Sequence, residues 1–246
     1  MHIVILTALG VGGATVLGAL LGFLFEDFSR RFSDTVLSFA AGVMLSAAIL
    51  TLILPSLENG GKYRILTTIV GILTGAICIS CVDKLNAHLE RKSRTEGENK
   101  ADKRSGVMLL VLAIAIHNLP EGFAAGVGFG VGSLYEALLI AGGIALQNLP
   151  EGMVIIGPML SVGIKPMRAF IIAALTGLVE VIGAFLGYFA ISIFAPILPF
   201  SLAFAGGAML YIIIDEIIPS AKSGGKSATY SNLLGFLLML ALSQVL

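Results

Sequence analysis

The sequence predicts an all-α integral membrane protein, with eight transmembrane helices in a single domain over residues 1–246. Three observations predict this class. Hydrophobic residues make up 57% of the chain, and the mean hydropathy is +0.99. Charged residues make up only 12%, whereas soluble domains carry about 25%. Apolar runs of about twenty residues, the length that crosses a bilayer, recur from one end of the chain to the other.

The apolar runs define the predicted spans in order. The first run has no basic segment before it and ends at Glu26 and Asp27, so we interpret it as a span and not as a signal peptide. The later runs end at charged or turn-forming residues. The eight predicted spans are Ile3–Phe25, Thr35–Leu54, Ile65–Val82, Val107–Gly130, Glu136–Leu160, Ala169–Phe194, Ser201–Pro219 and Asn232–Leu246.

Basic residues are concentrated on alternate loops. Thirteen of the fifteen Lys and Arg residues lie on one set of loops, and only Lys62 and Arg64 lie on the other. The positive-inside rule then places both termini outside and the loop of residues 84–105 in the cytoplasm. This alternation requires an even number of spans, which supports eight. We expect the protein in the plasma membrane, which in a bacterium is the inner membrane.

Two segments of the first three spans recur near the end of the chain. Val16–Gly22 in span 1 resembles Val181–Gly187 in span 6. Phe39–Leu45 in span 2 resembles Phe204–Leu210 in span 7, again 165 positions later. Because an offset of five spans reverses the direction through the membrane, spans 1–3 and 6–8 are predicted to form an inverted repeat around spans 4 and 5. Inverted repeats with interrupted helices are typical of secondary transporters.

A polar motif interrupts span 4 and returns, slightly changed, in span 5. Residues 115–122 read Ala-Ile-His-Asn-Leu-Pro-Glu-Gly, and residues 145–152 read Ala-Leu-Gln-Asn-Leu-Pro-Glu-Gly. On a helix, His117 and Glu121 share one face. A charge at the bilayer centre costs at least about 2.5–3.5 kcal/mol, and such residues are usually functional.

These polar groups lie at similar depths in spans 4, 5 and 6, near the bilayer centre. Imidazole, carboxylate and amide groups together suit Zn²⁺, Fe²⁺, Mn²⁺ or Cd²⁺. The sequence therefore predicts a metal site, although helix packing or proton relay by the carboxylates is an alternative. The set leaves open whether one or two ions bind. The predicted ligands are His117, Asn118, Glu121, Gln147, Asn148, Glu151 and Glu180.

Three further features of the sequence bear on its function. Asp215 and Glu216, at the cytoplasmic end of span 7, are either interfacial charges or a metal-release site. Cys78 and Cys81 are interpreted as small core side chains rather than soft-metal ligands. The net charge of zero gives no indication of nucleic-acid binding. The partners expected are therefore metal ions and the lipid bilayer, and the sequence leaves a homodimer open.

The chain resembles the ZIP (Zrt/Irt-like) family of divalent metal transporters, and within it the prokaryotic GufA-like branch. The His-Asn-x-Pro-Glu-Gly motif of span 4 and its partner in span 5 carry the resemblance, which extends over the whole chain. It implies inward transport of Zn²⁺ and related ions. The alternative is a membrane-embedded di-metal carboxylate enzyme, which would carry Glu-x-x-His on two helices. This chain instead has His-x-x-x-Glu, and only once.

The resemblance also implies roles for individual residues. In relatives with a binuclear centre, the ligands of one metal match His117, Glu121, Gln147 and Glu151. The ligands of the other metal match Asn118, Glu121, Glu151 and Glu180. This chain departs from those relatives at Asn148, where they can carry an aspartate, and the lost charge would weaken or alter the second metal position.

Overall fold

The computed structural model describes residues 1–24, 30–93, 100–220 and 225–245. All secondary structure in these ranges is helical. Phe25, residues 94–99 of the predicted cytoplasmic loop, and Leu246 lie outside the described residues. The eight helices are α1 (His2–Leu24), α2 (Arg30–Ala47, Ala48–Ile53 and Leu54–Asn59), α3 (Arg64–Ser93), α4 (Lys100–Val127), α5 (Leu134–Val154 and Ile156–Ser161), α6 (Pro166–Ile193), α7 (Leu198–Ile212, Ile213–Ile217 and Ile218–Ser220) and α8 (Gly225–Val245).

In the described part of the chain, seven helices, α1 to α7, are long and apolar enough to cross a membrane. The eighth, α8, begins at Gly225, seven residues before the predicted start of span 8. Its polar N-terminal half bonds to α2: Ser231 Oγ donates to the Thr35 carbonyl at 2.8 Å, and Asn232 Nδ2 donates to the Ser38 carbonyl at 3.1 Å. With 21 residues, α8 is about 31 Å long, enough to cross a bilayer.

The polar segment between spans 3 and 4 is more helical than its composition indicated. Helix α3 continues to Ser93, and α4 already begins at Lys100. Leu, Ala, Glu, Lys and Arg are good helix formers, so both helices extend beyond their apolar parts. The predicted loop is therefore largely built from the ends of two helices.

Wide π-helical turns occur at matching places in the two halves of the chain. Ala48–Ile53 forms one in α2, and Ile213–Ile217 forms the other in α7. The second turn begins 165 positions after the first. Pro55 and Pro219 follow these turns. A proline ring clashes with the carbonyl four residues earlier and removes a backbone donor, so a widened turn just before it relieves that crowding.

Helices α4 and α6 run parallel and touch backbone to backbone. Gly122 of α4 lies against the backbone of Glu180 in α6, and Gly126 lies against Ala184 one turn later. Because both contacts advance by four residues in the same direction, the two helices are parallel. This close approach is available because glycine has no Cβ.

Helices α1 and α5 repeat this arrangement. Gly18 and Gly22 of α1 lie against Leu149 and Met153 of α5, again in parallel. The pairs α2/α8 and α3/α7 are likewise closely packed. Exchanging α1 with α6, α2 with α7, α3 with α8 and α4 with α5 converts each of these pairs into another. The packing therefore has the approximate twofold symmetry of an inverted repeat, as predicted.

Candidate metal site

The seven predicted ligands lie inside the helix bundle. Six are buried, and Gln147 and Glu180 are 0% exposed. Glu151 is partly buried. Three of the seven belong to α4, three to α5 and one to α6. The side chains are His117, Asn118, Glu121, Gln147, Asn148, Glu151 and Glu180.

The charged members of this set lie within electrostatic reach of one another. The carboxyl group of Glu121 lies close enough to those of Glu151 and Glu180 for electrostatic interaction. The same holds for the Glu151 carboxyl group and the imidazole of His117. Like charges at this depth are costly unless a cation or protons compensate them. The structure therefore brings the ionisable groups of three helices into one cluster.

Glu180 is the hydrogen-bonding centre of the cluster. Asn118 Nδ2 on α4 donates to its Oε1 at 2.8 Å. Asn148 Nδ2 on α5 donates to its Oε2, and Thr15 Oγ1 on α1 donates to its Oε1. A buried carboxylate is tolerated where several donors satisfy it. Glu180 thus joins α6 to three other helices.

The two asparagine side chains make equivalent second bonds. Asn118 Nδ2 also donates to the carbonyl of Thr176 on α6, at 3.2 Å. Asn148 Nδ2 also donates to the carbonyl of Val11 on α1, at 3.4 Å. Val11 and Thr176 are separated by 165 positions, the repeat offset. The approximate symmetry of the fold therefore extends to individual hydrogen bonds.

Seven buried side-chain atoms in this cluster have no hydrogen-bond partner among the described residues. Six of the seven are oxygens, which in an amide or an ionised carboxylate accept but cannot donate. Leaving a buried polar atom unpaired costs about 1–3 kcal/mol, and native proteins rarely do so without a reason. Buried oxygens of this kind are the groups that bind divalent cations. The atoms are Asn118 Oδ1, Glu121 Oε1 and Oε2, Gln147 Oε1 and Nε2, Asn148 Oδ1 and Glu151 Oε1.

The carboxylate and histidine groups do not form a closed metal cage by themselves. Within the described ranges, no three His, Cys, Asp or Glu side chains are arranged closely enough to hold an ion on their own. A cation here would therefore need the amide oxygens of Asn118, Gln147 or Asn148 as well.

Comparison with known proteins identifies the family. Residues 82–243 match the family described as ZIP Zinc transporter. The chain is 35% identical to the zinc transporter GufA of Myxococcus xanthus, and the match covers 98% of each chain. It is 34% identical to the zinc transporter ZIPB of Bordetella bronchiseptica, over 95% of this chain and 78% of that protein. The chain belongs to the ZIP zinc transporter family. It is also 32% identical to the zinc transporter ZIP11 of Homo sapiens, over 94% of this chain and 93% of that protein.

Membership of the ZIP family confirms several predictions made from the sequence. The protein is an integral membrane transporter of zinc with an all-helical fold, and it is not an enzyme. The alternative of a di-metal carboxylate enzyme is thereby set aside. Which residues bind the ion, and how many ions bind, remain predictions at this point.

Two residues that contact the predicted ligands, Thr15 and Asp83, were not identified from the sequence. Thr15 is a single hydroxyl in an apolar run, and the signal that could have revealed it is its distance of 165 positions from Glu180. Asp83 lies one residue beyond predicted span 3, where a charge is usually interfacial. Its Oδ1 lies 3.4 Å from His117 Nε2. The length of α3 brings it to the cluster.

The other side chains singled out in the sequence lie elsewhere in the ZIP fold. Asp215 is exposed in the π-helical turn of α7, and the side chain of Glu216 lies outside what the structure describes. A release site there stays a prediction. The interpretation of Cys78 and Cys81 as core side chains was wrong, because both are exposed. They lie on α3, a peripheral helix of the bundle, where lipid can surround apolar residues.

Proposed function

We propose that this ZIP chain moves Zn²⁺ into the cytoplasm through a site at the middle of the membrane, formed by α4, α5 and α6. The observation that supports the site best is the group of seven unpaired buried atoms on five of the predicted ligands. The proposed ligand set is His117, Asn118, Glu121, Gln147, Asn148, Glu151 and Glu180.

The principal ion would lie between the two polar motifs. Imidazole and carboxylate are common Zn²⁺ ligands, and the amide supplies a further oxygen. His117 has the carboxylate of Asp83 near one ring nitrogen, an arrangement that commonly orients metal-binding histidines. The principal ligands in this proposal are His117, Glu121, Gln147 and Glu151.

A second ion would depend on Asn118, Asn148 and Glu180. We propose that this second position binds an ion less tightly than the first, for two reasons. Asn148 supplies a neutral oxygen rather than a carboxylate. Both oxygens of Glu180 already accept hydrogen bonds, so a second ion must displace donors before Glu180 can bind it.

The distribution of basic residues supports the proposed orientation of the protein in the membrane. Thirteen of fifteen Lys and Arg residues lie on the loops assigned to the cytoplasm. The parallel pairing of α4 with α6 and of α1 with α5 agrees with helices that alternate in direction. In this orientation Asp215 and Glu216 lie toward the cytoplasm, where released ions would pass. The homodimer likewise remains a prediction.

Uptake by purified protein in proteoliposomes tests the proposal. We expect Zn²⁺ uptake above that of protein-free liposomes, with Fe²⁺, Mn²⁺ and Cd²⁺ as competing substrates. Mg²⁺ serves as the control ion, because it prefers oxygen ligands and water and should compete poorly at a site containing imidazole. If Mg²⁺ competed as well as Zn²⁺, a site built on His117 would be wrong.

A further inference from the structure

We propose that Thr15 of α1 is a positioning residue of the metal site. Its hydroxyl holds the Glu180 carboxylate in position. In that position the carboxylate accepts hydrogen bonds from the amide nitrogens of Asn118 and Asn148, so that their side-chain oxygens face the ion. The inference rests on the proposed central site, and it extends that site to a fourth helix. The predicted ligand set contains no residue of α1.

Thr15 and Glu180 occupy equivalent positions of the two repeats. They lie 165 positions apart, the repeat offset, and their side chains are 2% and 0% exposed. Near them α1 and α6 touch at Gly12 and Gly177, which are also related by that offset. One repeat therefore supplies a carboxylate beside the approximate symmetry axis, and the other supplies a hydroxyl that can donate to it.

The bonds to Glu180 decide which end of each amide stays available. A side-chain amide has one oxygen that accepts and one nitrogen that donates. Asn118 and Asn148 both use their nitrogens on Glu180. Their oxygens are the atoms left buried and unpaired in the described structure. Glu180 thus presents two amide oxygens, and not two N–H groups, to a cation.

Thr15 adds the anchor that the two amides cannot supply. Asn118 and Asn148 hold opposite oxygens of Glu180 from α4 and α5, the helices that carry the other proposed ligands. The hydroxyl of Thr15 ties the same carboxylate to α1. Without this bond, the Glu180 carboxylate is free to rotate, and the two amides lose their fixed acceptor. Outer partners of metal ligands commonly change affinity by about 10–100-fold.

The first test removes the hydroxyl while keeping the shape of the side chain. We expect Thr15→Val to raise the Zn²⁺ Kd of purified protein, and the KM of uptake, by about tenfold. Vmax per correctly inserted molecule should fall much less than KM rises. Thr15→Ser, which keeps the hydroxyl, should restore both constants. If the valine variant does not insert, Thr15→Ala removes the same hydroxyl with a smaller side chain.

A matched control removes a hydroxyl whose hydrogen bond stays within its own helix. Thr74 Oγ1 on α3 donates to the Val70 carbonyl of its own helix at 2.8 Å. Thr74→Val should therefore leave the Kd and KM for Zn²⁺ unchanged. A general effect of replacing threonine by valine in a membrane helix would appear in this variant as well.

The second test asks whether Thr15 acts through Glu180. In a Glu180→Ala background, Thr15→Val should add little further loss, because the acceptor that the Thr15 hydroxyl anchors is gone. A full additional tenfold loss in that background would overturn the proposal. So would a wild-type Kd in Thr15→Val, or equal losses in Thr15→Val and Thr15→Ser.

These outcomes separate the inference from the proposed site. Removal of Glu121 tests the site directly, by its effect on Zn²⁺ binding. If Glu121→Ala abolishes binding while Thr15→Val leaves it unchanged, only the role of Thr15 is wrong. If Glu121→Ala binds Zn²⁺ normally, the central site itself is wrong.

Discussion

The two halves of the metal site share a backbone arrangement and differ in side chains. Helix α4 carries His117 where α5 carries Gln147, thirty positions later. Helix α6 carries Glu180 where α1 carries Thr15. Around these positions the glycine contacts of α4/α6 and α1/α5 are equivalent. Symmetry is therefore a property of the scaffold, and the chemistry depends on the few positions that break it.

A physical reason favours this asymmetry at Glu180. One carboxylate beside the axis can accept a hydrogen bond from each half, as it does from Asn118 and Asn148. A second carboxylate at position 15 would face the first within a buried site, where like charges are costly. With threonine at position 15, the two side chains form a hydrogen bond instead of repelling each other.

The largest effect is expected where the two halves are alike. Glu121→Ala and Glu151→Ala each remove a principal ligand, one from each half. Both should reduce Zn²⁺ uptake to less than about one hundredth of wild type, because losing a ligand costs more than losing its outer partner. Initial uptake rates, normalised to inserted protein, measure this. A wild-type rate in either variant, with normal insertion, would remove that half from the site.

The next effect comes from making the halves identical. His117→Gln gives α4 the same ligand types as α5. We expect Zn²⁺ affinity to fall by about 10–100-fold, and Mn²⁺ affinity to fall less because Mn²⁺ favours oxygen ligands. Competition between the two ions for binding measures the change. Gln147→His is the matched reverse variant and should shift preference toward Zn²⁺. An unchanged ratio in both variants would mean that neither position binds the ion.

The shared scaffold can be tested at its glycines. A Cβ at Gly122 would meet the Glu180 carbonyl, and one at Gly152 would meet the Thr15 carbonyl. Each alanine substitution should destabilise the protein by about 1–3 kcal/mol, and by similar amounts in the two halves. Thermal unfolding in detergent measures this. Gly142→Ala, where nothing lies within 4 Å, is the control and should cause no loss. Unequal losses would show that the packing is not symmetric.

The smallest effect is expected at Asn148. Asn148→Asp supplies a negative ligand and should tighten binding at the second metal position by about tenfold, or 1.4 kcal/mol. It should also lower stability in the absence of metal, because the new carboxylate faces Glu180. Calorimetric titration gives both affinity and stoichiometry, and Asn118→Asp provides the comparison in the other half. If neither quantity changes, Asn148 does not face the metal.

The sequence by itself determined the fold class, the repeat and the predicted ligand set. Hydropathy reveals spans because a bilayer excludes polar backbone and charge over a known length. The offset of 165 positions reveals the repeat because related segments keep similar residues. The two polar motifs identify a candidate site because ionisable groups at this depth are costly and rarely incidental.

The tertiary structure alone decided how the polar groups are paired. It brought Thr15 to Glu180 across 165 positions and Asn148 to Glu180 across 32. It also joined Asp83 to His117 and extended α8 back to Gly225. These outcomes depend on which helices touch and at what height. That is set by backbone contacts through glycine, and no local pattern of hydropathy records which two helices will meet.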